Sequence, residues 1–161
     1  MSVFVQSDSG LLSEKLYAAV EEGDTQVVAD LLKAATLEDV NHQHTNQIRR
    51  TALLAAAESG HTEIVQTLLT HPNVDVNLQD ENGATALMWA CNRGHLEIVK
   101  ALLAHPNIDV GRIQTKDGWA ALMWASNGGH TEIVRLLLAQ PDIDVNQQDK
   151  VNGYTALTLR E

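Results

Sequence analysis

The 161-residue chain is 44% hydrophobic, enough for a core within one compact unit, and its apolar content comes mainly from Ala, Leu, Val and Ile with a single Phe. That palette suits thin layers of short helices and argues against a sheet sandwich filled with aromatic rings. With 21 acidic against 11 basic side chains, the formal net charge of -10 repels phosphate backbones and anionic headgroups, so neither nucleic acid nor a membrane surface is an expected partner.

Residues 1–10, MSVFVQSDSG, show no basic start followed by a long apolar run, and no later stretch approaches the roughly 18 apolar residues of a membrane span. They read as a tail, with neither export nor anchoring expected. The segment SEKLYAAVEEGDTQVVADLLKAA follows, placing Leu16, Gly23, Val27 and Leu32 a constant 71 residues before Leu87, Gly94, Ile98 and Leu103. It is a divergent first repeat, residues 11–45, acting as an N-terminal cap. Near its end, His42 and His44 in VNHQHTN form a pair of potential metal ligands, but no third ligand lies close in sequence, so no metal site is expected.

Three closely matched units come next. TALLAAAESGHTEIVQTLLTHPNVDVN from Thr51 aligns with TALMWACNRGHLEIVKALLAHPNIDVG from Thr85 at a shift of 34, and the unit from Ala120 follows at a shift of 35, the added residue falling in GRIQTKDG. The full units span 46–79, 80–114 and 115–149, and residues 150–161 begin a further unit at Thr155 that stops before any second helix. Within one unit, Leu87, Ala90 and Cys91 make one helical stripe, Gly94 supplies a turn, and Ile98, Val99, Leu102 and Leu103 make a second stripe. Pro106 disfavours further helix, and an extended loop turning at Asp117-Gly118 is expected before the next unit. A single unit cannot bury both stripes, so neighbours must stack.

Through DENGATAL, GHLEIVKALL and IDV, recurring in register over nearly all of the chain from Leu11, the sequence resembles the ankyrin-repeat family. The resemblance implies an all-α solenoid, a curved stack of helix-turn-helix units with β-hairpin loops as fingers and first helices lining a concave face. It also implies a non-catalytic module that binds a protein or peptide. One departure stands out: the family's Thr-Pro-Leu-His reads Thr85-Ala86-Leu87-Met88 here and Ala120-Ala121-Leu122-Met123 in the next unit, so apolar packing is expected to replace a Thr-to-His network.

Residues that vary between units are the candidates for recognition. Arg50, Ala84, Trp119 and Tyr154 share one position at the base of each finger, where the resemblance implies ligand contact, and Trp and Tyr are enriched among binding hot spots. Trp89 and Trp124 lie two residues after the core Leu, about 200° around the helix, and should face the groove. Asn92, Arg93, Asn127 and Glu58 lie a turn further along, with Arg93 placed to stack on Trp89. The expected site has an apolar centre, a polar edge and a partner segment carrying basic residues.

Catalytic chemistry finds no support. His61, His95 and His130 follow the turn Gly, where the resemblance implies local hydrogen bonding, and His71 and His105 suit the carbonyl-rich ends of second helices. Counting DVNLQDENG from Asp75 as a calcium loop puts Asp80 and Ala86 where Gly and Glu are required. No phosphate-binding loop or activated nucleophile is present, so no cofactor is expected. Asn77 and Asn146 are similar to ankyrin asparagines hydroxylated by an oxygen-sensing asparaginyl hydroxylase, although bonding to the loop backbone would equally explain them. The single Cys91 excludes an internal disulfide and suits the cytosol or the nucleus. The resulting expectation is a monomeric interaction module, with a structural spacer or a fragment of a longer scaffold as the competing reading.

Overall fold

The structure, a computed structural model, describes the backbone of residues 9–44 and 49–158. Its helices are α1 (Ser9–Glu22), α2 (Thr25–Leu32), α3 (Leu37–Asn41), α4 (Ala52–Ser59), α5 (Thr62–Leu69), α6 (Ala86–Arg93), α7 (Leu96–Leu103), α8 (Ala121–Asn127) and α9 (Thr131–Leu138). Four pairs result: α1/α2, α4/α5, α6/α7 and α8/α9. Helix α1 starts inside the segment expected as a tail; the rest of that tail lies outside the described residues, as does Leu159 of the expected fifth unit.

Local chemistry fixes the boundaries. Thr51 and Thr85 cap α4 and α6, each hydroxyl accepting a backbone N–H at 3.3 Å. Ala120 offers no such oxygen to α8. Gly94 ends α6 in the left-handed region at φ 75°, where its N–H returns to the helix and reverses the chain into α7.

The first helices α1, α4, α6 and α8 pack in one row and the second helices α2, α5, α7 and α9 in another. Ala56, Ala57, Ala90 and Ala125 are fully buried in the first row, while bulkier Ile64, Leu68, Ile98 and Leu102 fill the second. Shorter side chains give the first row the closer spacing, the condition for a concave face on that side. Met88 and Met123 are buried at the positions where a Thr-to-His network was doubtful, so apolar packing does replace it. Among the described residues no helix is long and apolar enough to cross a membrane.

Two features correct the sequence reading. Helix α3 stands at the end of the first unit, a segment to which the sequence reading assigned no helix. A capping box explains it: Asp39 N–H donates to Thr36 Oγ1 at 3.3 Å and Thr36 N–H to Asp39 Oδ2 at 2.8 Å. Two of the three turn histidines, expected to bond locally, reach back to the preceding unit instead: His95 Nε2 lies 3.1 Å from the Glu58 carbonyl and His130 Nε2 lies 3.2 Å from that of Asn92. A carbonyl only accepts, so each imidazole donates through Nε2. The ring thereby satisfies a carbonyl that the last turn of a helix leaves open.

A second set of ties joins the loops. Asn41 donates to Asn73 O at 2.8 Å and accepts from Asp75 N–H at 2.8 Å; one unit on, Asn77 donates to Asn107 O at 2.7 Å and accepts from Asp109 N–H at 2.9 Å. Gln43 and Gln79 repeat the pattern by donating to Gln79 O at 2.7 Å and Ile113 O at 3.1 Å. The motif Val-Asn-x-Gln reads Val110-Gly111-Arg112-Ile113 after the third unit, which removes both clamps from the joint to the fourth.

Candidate functional site

Each finger closes by one backbone bond onto the variable base position. The N–H of His44 donates to Arg50 O at 3.0 Å, Asp80 to Ala84 at 2.9 Å, Gln114 to Trp119 at 2.8 Å and Asp149 to Tyr154 at 2.8 Å. The four positions are therefore structurally equivalent. An isolated antiparallel bridge, Ile113 to Ala120, is the only β pairing among the described residues, so the fingers are tight turns and not extended ladders.

Asp80 shows how such a turn is built. It is buried, its Oδ1 accepts the N–H groups of Asn82 and Ala84, each at 2.9 Å, and its Oδ2 accepts the indole N–H of Trp89 at 2.9 Å. Asp149 does the same in the last finger. Its Oδ1 accepts N–H from Asn152 at 2.7 Å and Gly153 at 2.8 Å, with longer bonds from Tyr154 and Val151, and these, Asn152 first, hold its carboxyl below the usual range.

On the inner side, base positions and first helices build one continuous row. Glu58, near the end of α4, pairs with Arg50 Nη1 and also accepts Arg93 Nη2 at 2.8 Å. Both guanidiniums approach the Trp89 ring, with Cζ atoms 5.0 Å and 6.0 Å from its centroid, within cation-π range. Trp89 stacks on Trp124 at 6.4 Å and 29°, and Trp119 meets Trp124 edge-on at 5.0 Å and 62°. All three indoles are partly exposed while packing against the core.

Arg50, Glu58, Trp89, Arg93, Trp119 and Trp124 are thus brought together across three units. Asn92 contributes through its carbonyl, as the acceptor for His130. Asn127 is exposed at the end of α8, and Tyr154, 47% exposed, makes no ring contact with the indoles. The row is close to charge-balanced, two arginines against Glu58 and Asp80. The acidity of the chain lies elsewhere on its surface.

Among the described residues, three buried polar atoms around the row go without a partner. Trp89 has its Asp80, but Trp124 Nε1 is buried without a hydrogen-bond partner, as are Gln114 Oε1 in the adjoining finger and Arg50 Nε. An unmade buried bond costs about 1–3 kcal/mol, which the packing around each atom must offset.

The expected Asn positions diverge. Asn77 is held by two bonds into the next unit, so backbone bonding accounts for it. Asn146 is exposed, and among the described residues its side chain has no hydrogen bond. Cys91 is fully buried, and burial alone pushes its thiol well above the ordinary range.

Sequence reasoning passed over the turn-building role of Asp80 and, apart from the loop bonding of Asn77 and Asn146, the Asn-x-Gln clamps. The signals were present: Asp-x-Asn-Gly is a turn motif with an acceptor at its first position, and the clamp motif recurs with one exception. A family model for ankyrin repeats, in 3 copies, matches residues 16–113 and 108–159.

Proposed function

The chain belongs to the ankyrin-repeat family, and from that premise we propose that it captures a protein or peptide partner on the row formed by Arg50, Trp89, Trp119 and Trp124, with Glu58, Asn92 and Arg93 as the polar edge. Repeats of this family generally serve as protein-protein interaction modules and are typically non-catalytic. The observation that carries the finer reading is the aromatic row itself. Three partly exposed indoles, one pair stacked and one edge-on, with guanidiniums over Trp89, present rigid area that costs little entropy to order on binding. Tyr154 and Asn127 extend the surface toward the last finger. The partner segment carries an apolar anchor for the indoles and basic residues for the acidic surface beyond the row, in keeping with the net charge of -10. On this reading residues 11–161 act as one monomeric repeat domain in the cytosol or nucleus.

The test is a quantitative pull-down with the native chain and with a Trp119→Ala, Trp124→Ala double variant, thermal unfolding being followed in parallel. Each truncation should weaken capture by about 2 kcal/mol, roughly thirtyfold. Unchanged recovery of every partner by a folded double variant would remove the proposed surface.

Asn146 is the second proposal, resting on its exposure. Of the two candidate asparagines it is the one an asparaginyl hydroxylase reaches without opening the stack. Mass spectrometry after exposure to such an enzyme should show one added oxygen at Asn146 before Asn77; the reverse order would refute it.

A further inference from the structure

The first unit carries a constellation that the aromatic row does not use. His42 and His44 follow α3, and the sequence places no third ligand beside them. Folding supplies one, because α1 packs against α3 and brings Glu14 to the pair. One ligand atom from each of Glu14, His42 and His44 lies within 4.8 Å of the others. His44 Nδ1 stands 3.2 Å from Glu14 Oε1, and the two imidazoles meet edge-on, centroids 4.8 Å apart at 81°.

We propose that Glu14, His42 and His44 form a divalent transition-metal site that takes Zn2+. Two imidazole nitrogens and a carboxylate oxygen are a donor set that Zn2+ accepts readily, whereas Ca2+ and Mg2+ require more oxygens. At bond lengths of about 2.0–2.2 Å, tetrahedral ligand atoms stand roughly 3.4 Å apart, so the trio must draw in slightly. The exposures allow it. His44 is 4% exposed, its ring packs on Tyr17 at 4.2 Å and its backbone N–H is bonded to Arg50 O at 3.0 Å, so it is the fixed ligand. Glu14 has a side chain 67% exposed and His42 is partly exposed, so both turn toward the ion without disturbing the core.

A Glu14-His44 hydrogen bond alone accounts for two of the three groups and leaves the nitrogen of His42, in reach of both, without a role. Coordination uses all three and leaves a fourth position for water. Since Glu14 comes from α1 and the histidines from the loop after α3, the ion would staple the two ends of the first unit and stabilise it.

Isothermal titration of the full chain with zinc chloride, in a chelator-free, non-coordinating buffer, tests the assignment. One ion per chain is expected, with a dissociation constant in the micromolar range and a rise in melting temperature on binding. Glu14→Gln and His42→Ala should each lower affinity at least about tenfold, the scale on which even outer partners of a metal act. Both replace accessible side chains, and their melting temperatures in EDTA should match the native value. Co2+ in place of Zn2+ should give visible absorption bands of a low-coordinate site, lost in His42→Ala. Absence of binding up to millimolar zinc overturns the proposal. So does one-to-one binding that survives His42→Ala, since the ion then sits on other histidines.

Discussion

The joint between the second and third units and the joint between the third and fourth use the same pairs of helices but different ties. The first is clamped along its loops by Asn77 and Gln79 and along its inner edge by the Arg93-Glu58 ion pair and His95. The second has Gly111 and Ile113 where those clamps belong; it keeps His130 on Asn92 O and two finger bonds to Asn82 O, from Thr115 Oγ1 at 2.9 Å and Lys116 N–H at 3.4 Å, and carries the stacked Trp89 and Trp124. Apolar surface area has taken over where directional bonds were lost. In a linear stack stability is close to a sum of unit and nearest-neighbour terms, so the two joints need not open together. The aromatic rings lie over the joint with fewer loop ties, which gives them a structural duty beside the recognition role proposed for them.

Substitutions at the turn glycines should break the comparison most strongly. Both Gly94 and Gly129 have positive φ, at 75° and 71°, but a Cβ on Gly94 would stand 2.5 Å from His130 Cε1, whereas one on Gly129 would meet nothing within 4 Å. Gly129→Ala therefore costs about 1–2 kcal/mol of backbone strain, and Gly94→Ala about 2–4 kcal/mol because His130 must also give up Asn92 O. Equal costs in urea unfolding would show that the His ties do not hold the joint.

Clamp exchange comes next in size. Asn77→Ala should destabilise by about 1–3 kcal/mol through two lost hydrogen bonds. The converse, Gly111→Asn, should stabilise by about 1–2 kcal/mol. Gly111 has no positive φ, and a Cβ there would lie 3.8 Å from Asp142 O, the counterpart of the acceptor that Asn77 uses. A loss of stability in Gly111→Asn would show that the third loop has diverged too far to be clamped.

The smallest effect is kinetic. Cys91 sits in α6 between the two joints, and its burial keeps the thiol protonated and out of reach. Its labelling by a thiol reagent should be slow in the native chain, faster in Asn77→Ala and slower in Gly111→Asn. Identical rates in all three would mean that α6 opens independently of either joint.

Much of this was legible in the residues. The 34-residue shift makes the helix pairs, the turn at Gly94 and the shared position of Arg50, Ala84, Trp119 and Tyr154 readable, because stacking imposes the same requirements on every unit. The angle that turns Trp89 from its core stripe, and the reach of Arg93 back to it, follow from helix geometry alone. What escaped depends on neighbours far apart in the chain. The carbonyl met by His130 belongs to the previous unit, and Glu14 reaches His44 only once α1 and the loop after α3 are packed together. Helix α3 escaped for another reason: its residues have no helical counterpart in the later units, and the Thr36-Asp39 capping box starts a helix there locally.

We propose the row of indoles as a recognition surface, and its structural duty at the unclamped joint is the competing explanation. Partner capture by a chain combining Trp119→Ala, Trp124→Ala and Gly111→Asn separates the two. The added clamp should raise the melting temperature of the double tryptophan variant while capture stays lost. Capture that returns together with stability would contradict the account, for the rings would then be mortar between units and the partner would bind elsewhere.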